Sequence, residues 1–206
     1  MVYFTDIISI HYDHQVRVLS ESTAQDFFMG IFSSLFSIFK RENSYDENAI
    51  KDAALQLFAP VSGATVALED VPDLVISEKI VGDGIAITPE NDRLIAPCSG
   101  IISRIIASNN AFAVKTDSGV EVYVTCGIGA NAFTGIGFKA LVSLGDRVEA
   151  GDEVIEVNFK EASKVLESTV TSMIVIRSSA KIAKVISPFS RVEAGKPCSF
   201  VFTEDN

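Results

Sequence analysis

From Leu57 to the C-terminus the chain is built of short runs of Val and Ile, each bounded by Gly, Asp, Asn or Pro, as in 101–107, 111–116 and 120–126. β-branched residues suit a pleated, half-buried surface and Gly, Asn, Asp and Pro suit the turns between, so this texture predicts strands rather than helices. No long helical pattern interrupts it. Two internal echoes constrain the fold further. Ala59-Pro60-Val61-Ser62-Gly63 recurs as Ala96-Pro97-Cys98-Ser99-Gly100, and Arg147-Val148-Glu149-Ala150-Gly151 recurs as Arg191-Val192-Glu193-Ala194-Gly195. Two copies of each, at unequal spacing, fit a strand-turn-strand device used twice within one sandwich rather than a solenoid. The expected fold is all-β: a compact, closed or nearly closed antiparallel β-sandwich. Asp117-Ser118-Gly119 reads as a tight hairpin, since Gly tolerates the positive φ that such turns demand. Residues 161–167 read as a brief helix. Gly82-Asp83-Gly84 reads as a turn, because no GxGxxG or GxxxxGKS completes a phosphate-cradling loop.

A length of 206 residues with 48% apolar content fits one domain with a sizeable core. The 17 Lys and Arg against 27 Asp and Glu give a net charge of −10, and the basic residues are scattered, which argues against a nucleic-acid partner. Cys98, Cys126 and Cys198 are odd in number and far apart, with no CxxC spacing. That disfavours a disulfide framework and a thiolate zinc site and suits a reducing cytosol.

The first fifty residues read differently. No stretch approaches the roughly 20 apolar residues of a transmembrane helix, and the extreme N-terminus lacks the basic region of a secretory signal. In 26–41 polar residues recur at three- and four-residue steps opposite Phe28, Ile31, Phe32, Leu35, Ile38 and Phe39. This predicts an amphipathic helix that either packs on its own domain or lies in a membrane interface, where Lys40 and Arg41 would meet anionic headgroups. Residues 42–56 read as a linker, 57–203 as the β-sandwich domain and 204–206 as a tail.

Hydrolytic chemistry finds little support. A Ser-His-Asp or Cys-His arrangement needs a base beside its nucleophile, and the only histidines are His11 and His14. Asp70, Asp73, Glu78 and Asp83 could form paired carboxylates, but nothing in the sequence brings them together, so they read as solvated loop acids. No metal ligand set and no cofactor are expected.

Several strings carry a resemblance. Glu69-Asp70-Val71-Pro72-Asp73, Glu78-Lys79-Ile80-Val81-Gly82-Asp83-Gly84-Ile85-Ala86-Ile87, the Ala96-Pro97 turn, Asp117-Ser118-Gly119-Val120-Glu121 and the turn at 145–154 together resemble the glucose-type IIA component of the bacterial phosphoenolpyruvate:sugar phosphotransferase system. The likeness runs over 58–202. Met29-Gly30-Ile31-Phe32 and the helix after it look like the family's own start, which would make 29–41 a helix that associates with membranes and 1–28 either an upstream extension or a genuine disordered or strand-adding tail. The resemblance implies a β-sandwich of the duplicated hybrid motif type and a phosphocarrier in the cytoplasm, in places peripheral to the inner membrane face. A histidine would take phosphate from HPr and pass it to a sugar-specific IIB domain, with a second histidine beside it. The dephosphorylated form would bind permeases and glycerol kinase through an apolar face.

Carried over position by position, the resemblance fails at the chemistry. The family's Asn-His-Ala-Phe stands here as Asn109-Asn110-Ala111-Phe112, and its Val-His-Phe-Gly-Ile-Asp as Val124-Thr125-Cys126-Gly127-Ile128-Gly129. The acceptor position is therefore Thr125, the supporting position Asn110, and the nearby acid has become Gly129. A threonine phosphate is a stable ester that would trap the group, and Asn110 hydrogen-bonds but cannot titrate. Cys126 should point to the core if Thr125 points outward, because side chains alternate along a strand. The apolar docking face maps onto Ile76, Ile80, Val81, Ile106, Phe112 and Tyr123, with core packing the competing role for Ile106 and Phe112. The expected function is a binding or regulatory IIA-like module that cannot carry phosphate on histidine. The alternative is an active phosphocarrier with a non-histidine acceptor.

Overall fold

The computed structural model describes residues 53–129, 135–179, 182–187 and 189–203. The expected helix at 29–41, with its Phe28, Ile31, Phe32, Leu35, Ile38 and Phe39 face, lies outside the described residues. Among the described residues, no helix is long and apolar enough to cross a membrane.

The strands are β1 (Leu55–Phe58), β2 (Gly63–Val66), β3 (Gly82–Pro89), β4 (Arg93–Ile95), β5 (Gly100–Ile105), β6 (Ala111–Lys115) and β7 (Glu121–Ile128), followed by β8 (Phe138–Ala140), β9 (Arg147–Val148), β10 (Glu153–Val157), β11 (Ser168–Ile176), β12 (Ile182–Ile186), β13 (Arg191–Val192) and β14 (Pro197–Thr203). They form an eight-stranded sheet in the order β13-β2-β3-β11-β7-β6-β5-β9 and two three-stranded sheets, β1-β14-β12 and β4-β10-β8. Every pairing is antiparallel. One core cluster draws on all three sheets, with Leu57 and Val201, Leu94 and Ile155, and Val122, Val124 and Met173 packed together. This is the antiparallel sandwich that the Val and Ile runs predict. Leu55 and Gln56, at the end of the expected linker, already belong to β1 and pair with Val201 and Phe200.

The two sequence echoes interlock. The backbone N–H of Gly195 donates to the Ala59 carbonyl at 3.0 Å, and that of Gly151 donates to the Ala96 carbonyl at 2.9 Å. The Ser62 hydroxyl accepts from the Ala194 N–H at 2.9 Å, and the Ser99 hydroxyl from the Ala150 N–H at 3.0 Å. Gly63 then pairs with Val192, and Gly100 with Val148. Each alanine-proline string thus docks on one arginine-valine string, making equivalent corners at opposite ends of the eight-stranded sheet.

Of three local expectations, the first holds, the second shifts along the chain and the third is overturned. The 117–119 hairpin is present, with Gly119 at φ +89° donating to the Thr116 carbonyl at 2.9 Å. The helix expected at 161–167 is α2 (Phe159–Ala162), started earlier by Asn158, whose side chain accepts from the Glu161 N–H. Gly82-Asp83-Gly84 is not a turn but the start of β3. A Cβ at Gly82 or Gly84 would lie 1.9 Å from the carbonyl oxygen of Val175 or Met173, so these glycines permit a close approach of β3 to β11.

The outer face of the large sheet is covered in part by a 3₁₀ turn (Leu68–Asp70) and α1 (Leu74–Ser77). Leu68, Val71 and Ile76 pack there against Ala86, Ile128 and Ile174 as a second cluster. Burial on both faces explains why 171–175 of β11 are all buried, without the alternation of a half-exposed strand.

Candidate functional site

β7 (Glu121–Ile128) places Thr125, the residue expected at the acceptor position. Its residues alternate, with Val122, Val124 and Cys126 in the core and Glu121, Tyr123, Thr125 and Gly127 facing outward onto a cleft of about 830 Å³. Thr125 is paired with Ala111 on β6 and Ser172 on β11, so small side chains flank it and leave the cleft open. Its hydroxyl and the Arg104 charge partly offset the burial that pushes the Tyr123 phenol up.

Asn110 lies one residue before β6 and is 8% exposed. Its backbone carbonyl accepts from the Cys126 N–H at 2.8 Å, its side-chain Nδ2 donates to the Cys126 carbonyl at 2.9 Å, and its Oδ1 accepts from the Ser108 hydroxyl at 2.6 Å. Asn110 is therefore held beside the strand segment that carries Thr125, but its amide is tied to the Cys126 carbonyl and the Ser108 hydroxyl and supplies no base.

Cys126 faces the core and is fully buried, with its thiol pushed up to about 12 by burial. Cys98 and Cys198 are likewise buried, free and pushed up to about 12. Since the thiolate is the reactive species, none of the three thiols should react with a disulfide reagent in the native protein at neutral pH. All three should react at once in denaturant; rapid titration of even one native thiol would contradict the burial.

The α1 side of the cleft is apolar, with Asp73 at its start. α1 starts at Asp73, whose carboxylate accepts from the N–H groups of Val75 at 2.9 Å and Ile76 at 3.2 Å. Leu74, Val75, Ile80 and Val81 are exposed beside it, Leu74 by 76% and Ile80 by 65%. Lys79, at φ +51°, fixes this edge by salt bridges to Glu69 at 2.8 Å and Asp83 at 2.9 Å. The hydrogen bond to Glu69, then that to Asp83, pushes the Lys79 ammonium up, and the same contact lowers Glu69.

Of the residues expected on the docking face, Ile76, Ile80, Val81 and Tyr123 line the cleft. Ile76 is nevertheless mostly buried, since it also anchors α1 to the sheet. Ile106 is half-buried in the turn after β5 and lies outside the cleft lining. Phe112 is corrected outright: it is fully buried in the main core, paired with Val124. The acids Asp70, Asp73, Glu78 and Asp83 do not converge, and no group of three or more His, Cys, Asp or Glu among the described residues could hold a metal ion.

Three residues escaped the sequence reading. Glu167 hydrogen-bonds through its N–H to the Ile128 carbonyl, and a Cβ on Gly129 would lie 2.4 Å from its carboxyl carbon. A carboxylate thus occupies the space beside Gly129, from a residue whose link to 129 only the fold reveals. Arg104 and Arg177 also line the cleft. Arg104 was visible as the single charge within the apolar run 101–107.

The fold and site define a IIA-type sandwich. A solved structure, glucose permease IIA from Mycoplasma capricolum, matches with a TM-score of 0.67 and 29% identity, over 71% of this chain and 94% of that one. The family model for the phosphoenolpyruvate-dependent sugar phosphotransferase system, EIIA 1, matches residues 55–181. The glucose-specific EIIA component of Haemophilus influenzae is 36% identical over 168 residues, which is 82% of this chain and 95% of that protein. The N-acetylglucosamine-specific EIICBA component of Klebsiella pneumoniae is 36% identical over 140 residues, 68% of this chain and 22% of that longer protein. The chain belongs to the glucose-type EIIA family of the sugar phosphotransferase system, whose members work with other components of that system in sugar uptake.

Proposed function

We propose that this chain is a cytoplasmic IIA protein that does not carry phosphate and acts as a binding or regulatory module in sugar uptake. The observation that supports this most is the acceptor position, where the Thr125 hydroxyl faces the cleft and the adjacent Asn110 amide is held by Ser108 and Cys126. No histidine lies beyond His14 in the sequence. Without a base, threonine forgoes a contribution typically worth about 10²–10⁴ in rate, and a phosphate ester formed there would not pass on. The fully buried Cys126 is a poor substitute acceptor.

The docking edge of Leu74, Val75, Ile80 and Val81 remains available to the partners the family implies: HPr, a sugar-specific IIB domain, or regulated permeases and kinases. An exposed apolar patch rimmed by acids is a fitting partner surface. The apolar positions between Phe28 and Phe39 would add a weak peripheral membrane contact. The deciding experiment incubates the full chain with labelled phosphoenolpyruvate, enzyme I and HPr. No label on this chain is expected; acid-labile label on it would establish the alternative, an active carrier with a non-histidine acceptor.

A further inference from the structure

The cleft holds an imbalance of hydrogen-bonding groups. Its two carboxylates are engaged, Asp73 by the α1 N–H groups and Glu121 by the Ser103 hydroxyl at 2.7 Å. Its two guanidiniums are not: Arg104 and Arg177 take part in none of the ion pairs among the described residues. The Tyr123 and Thr125 hydroxyls face the same space.

The sheet register ties these groups together. Arg104, Ala113 and Tyr123 are successive cross-strand partners in one row, and Ala111, Thr125, Ser172 and Ala86 form the next. Residues directly opposite in antiparallel strands project to the same face, so the Ser172 hydroxyl lies on the Thr125 side of the sheet. Ser172 is 1% exposed, and its hydroxyl has no hydrogen-bond partner. A buried hydroxyl left unpaired costs free energy, and this one sits directly across from Thr125.

The spare capacity is thus made of donors: two guanidiniums and a run of hydroxyls. Guanidinium groups pair with phosphate through parallel N–H bonds. A tetrahedral dianion has enough oxygens to meet both arginines and the hydroxyls at once, whereas a carboxylate has only two. We propose that the cleft around Thr125 is a receptor for a phosphoryl group bound without covalent attachment, as free phosphate or as the head of a phosphate ester whose organic part lies on Ile80 and Val81. This rests on the reading above that Thr125 is not itself phosphorylated. The site would bind, and not carry, the group that relatives with a histidine acceptor carry.

The test is an NMR titration of the full chain with inorganic phosphate and, separately, phenyl phosphate, against chloride at equal ionic strength. Saturable shifts at Thr125 and Ser172 are expected with at least one probe. Saturation by inorganic phosphate assigns the free anion; saturation by phenyl phosphate alone assigns the ester. Both arginines are exposed, so Arg104→Gln and Arg177→Gln should keep the fold, and each should weaken binding about tenfold, as loss of a charge-assisted hydrogen bond does. Ser172→Ala removes a hydroxyl with no partner to lose, and should weaken binding severalfold without lowering stability. Shifts no larger than chloride produces, or binding indifferent to both arginine variants, would overturn the proposal. Intact mass measured on the same samples separates the two readings, because a covalent phosphoryl adduct refutes the non-carrier function and not the cleft's affinity.

Discussion

The double variant Asn110→His/Thr125→His is expected to take up acid-labile phosphate from phosphoenolpyruvate, enzyme I and HPr, where the unaltered chain takes up none. The scaffold allows both side chains. Thr125 is half-exposed and opens onto about 830 Å³, so an imidazole has room there. At position 110, histidine Nδ1 stands at the same branch point as the Asn110 Nδ2 that donates to the Cys126 carbonyl, so its N–H can make that bond. The cost is the bond from the Ser108 hydroxyl, a group only partly buried and free to rotate. Thr125→His alone should label about 10²–10⁴ more slowly than the pair, because the imidazole at 110 helps the proton and charge movements of transfer. Restoring an acid at 129 should not be part of the design. Gly129 is at φ +87°, and a Cβ there meets the Glu167 carboxyl group, so an aspartate would be strained and displace a carboxylate already present. A folded double variant that stays unlabelled would show that the docking surface for HPr has gone along with the histidines.

Much of this was legible in the sequence, and the reasons are physical. The Val and Ile runs marked strands because β-branched side chains pack well on a pleated sheet buried on at least one face, and the two echoes marked the two corners because each corner repeats the same backbone bonds. Thr125 and Cys126 could be assigned opposite faces from the period of two alone. What failed were places where tertiary packing overrides local pattern. Gly82 and Gly84 looked like turn residues, yet they are strand residues whose missing side chains let β11 come close. Ser172 was invisible because its meaning lies in a register partner 47 positions away, Thr125, and not in its own neighbourhood. Glu167 reaches Gly129 only through the bond from its N–H to Ile128.

Phe112 shows how the same limit bears on a mutational test. Aligned on the family, it stands in the site motif, and its replacement would be chosen to probe docking. It is fully buried in the main cluster, with its strand neighbours Ala111 and Ala113 on the other face. Phe112→Ala should therefore cost about 3–5 kcal/mol of stability, the transfer and cavity terms together. That is a large share of the roughly 5–15 kcal/mol that holds a domain folded. Urea unfolding should show a much lower midpoint with an unchanged slope, and any loss of partner binding should follow the fraction unfolded. Ile76→Asp would mislead similarly, since Ile76 is 8% exposed and the new carboxylate would be buried in the second cluster. Ile80→Asp is the informative variant. Ile80 is 65% exposed on the cleft edge, so the substitution should change stability by no more than about 0.5 kcal/mol. It should weaken capture of HPr or a IIB domain at least tenfold, as expected when a charge enters an apolar contact. If Ile80→Asp binds as well as the unaltered chain while Phe112→Ala binds poorly even when folded, the docking surface lies elsewhere than beside α1.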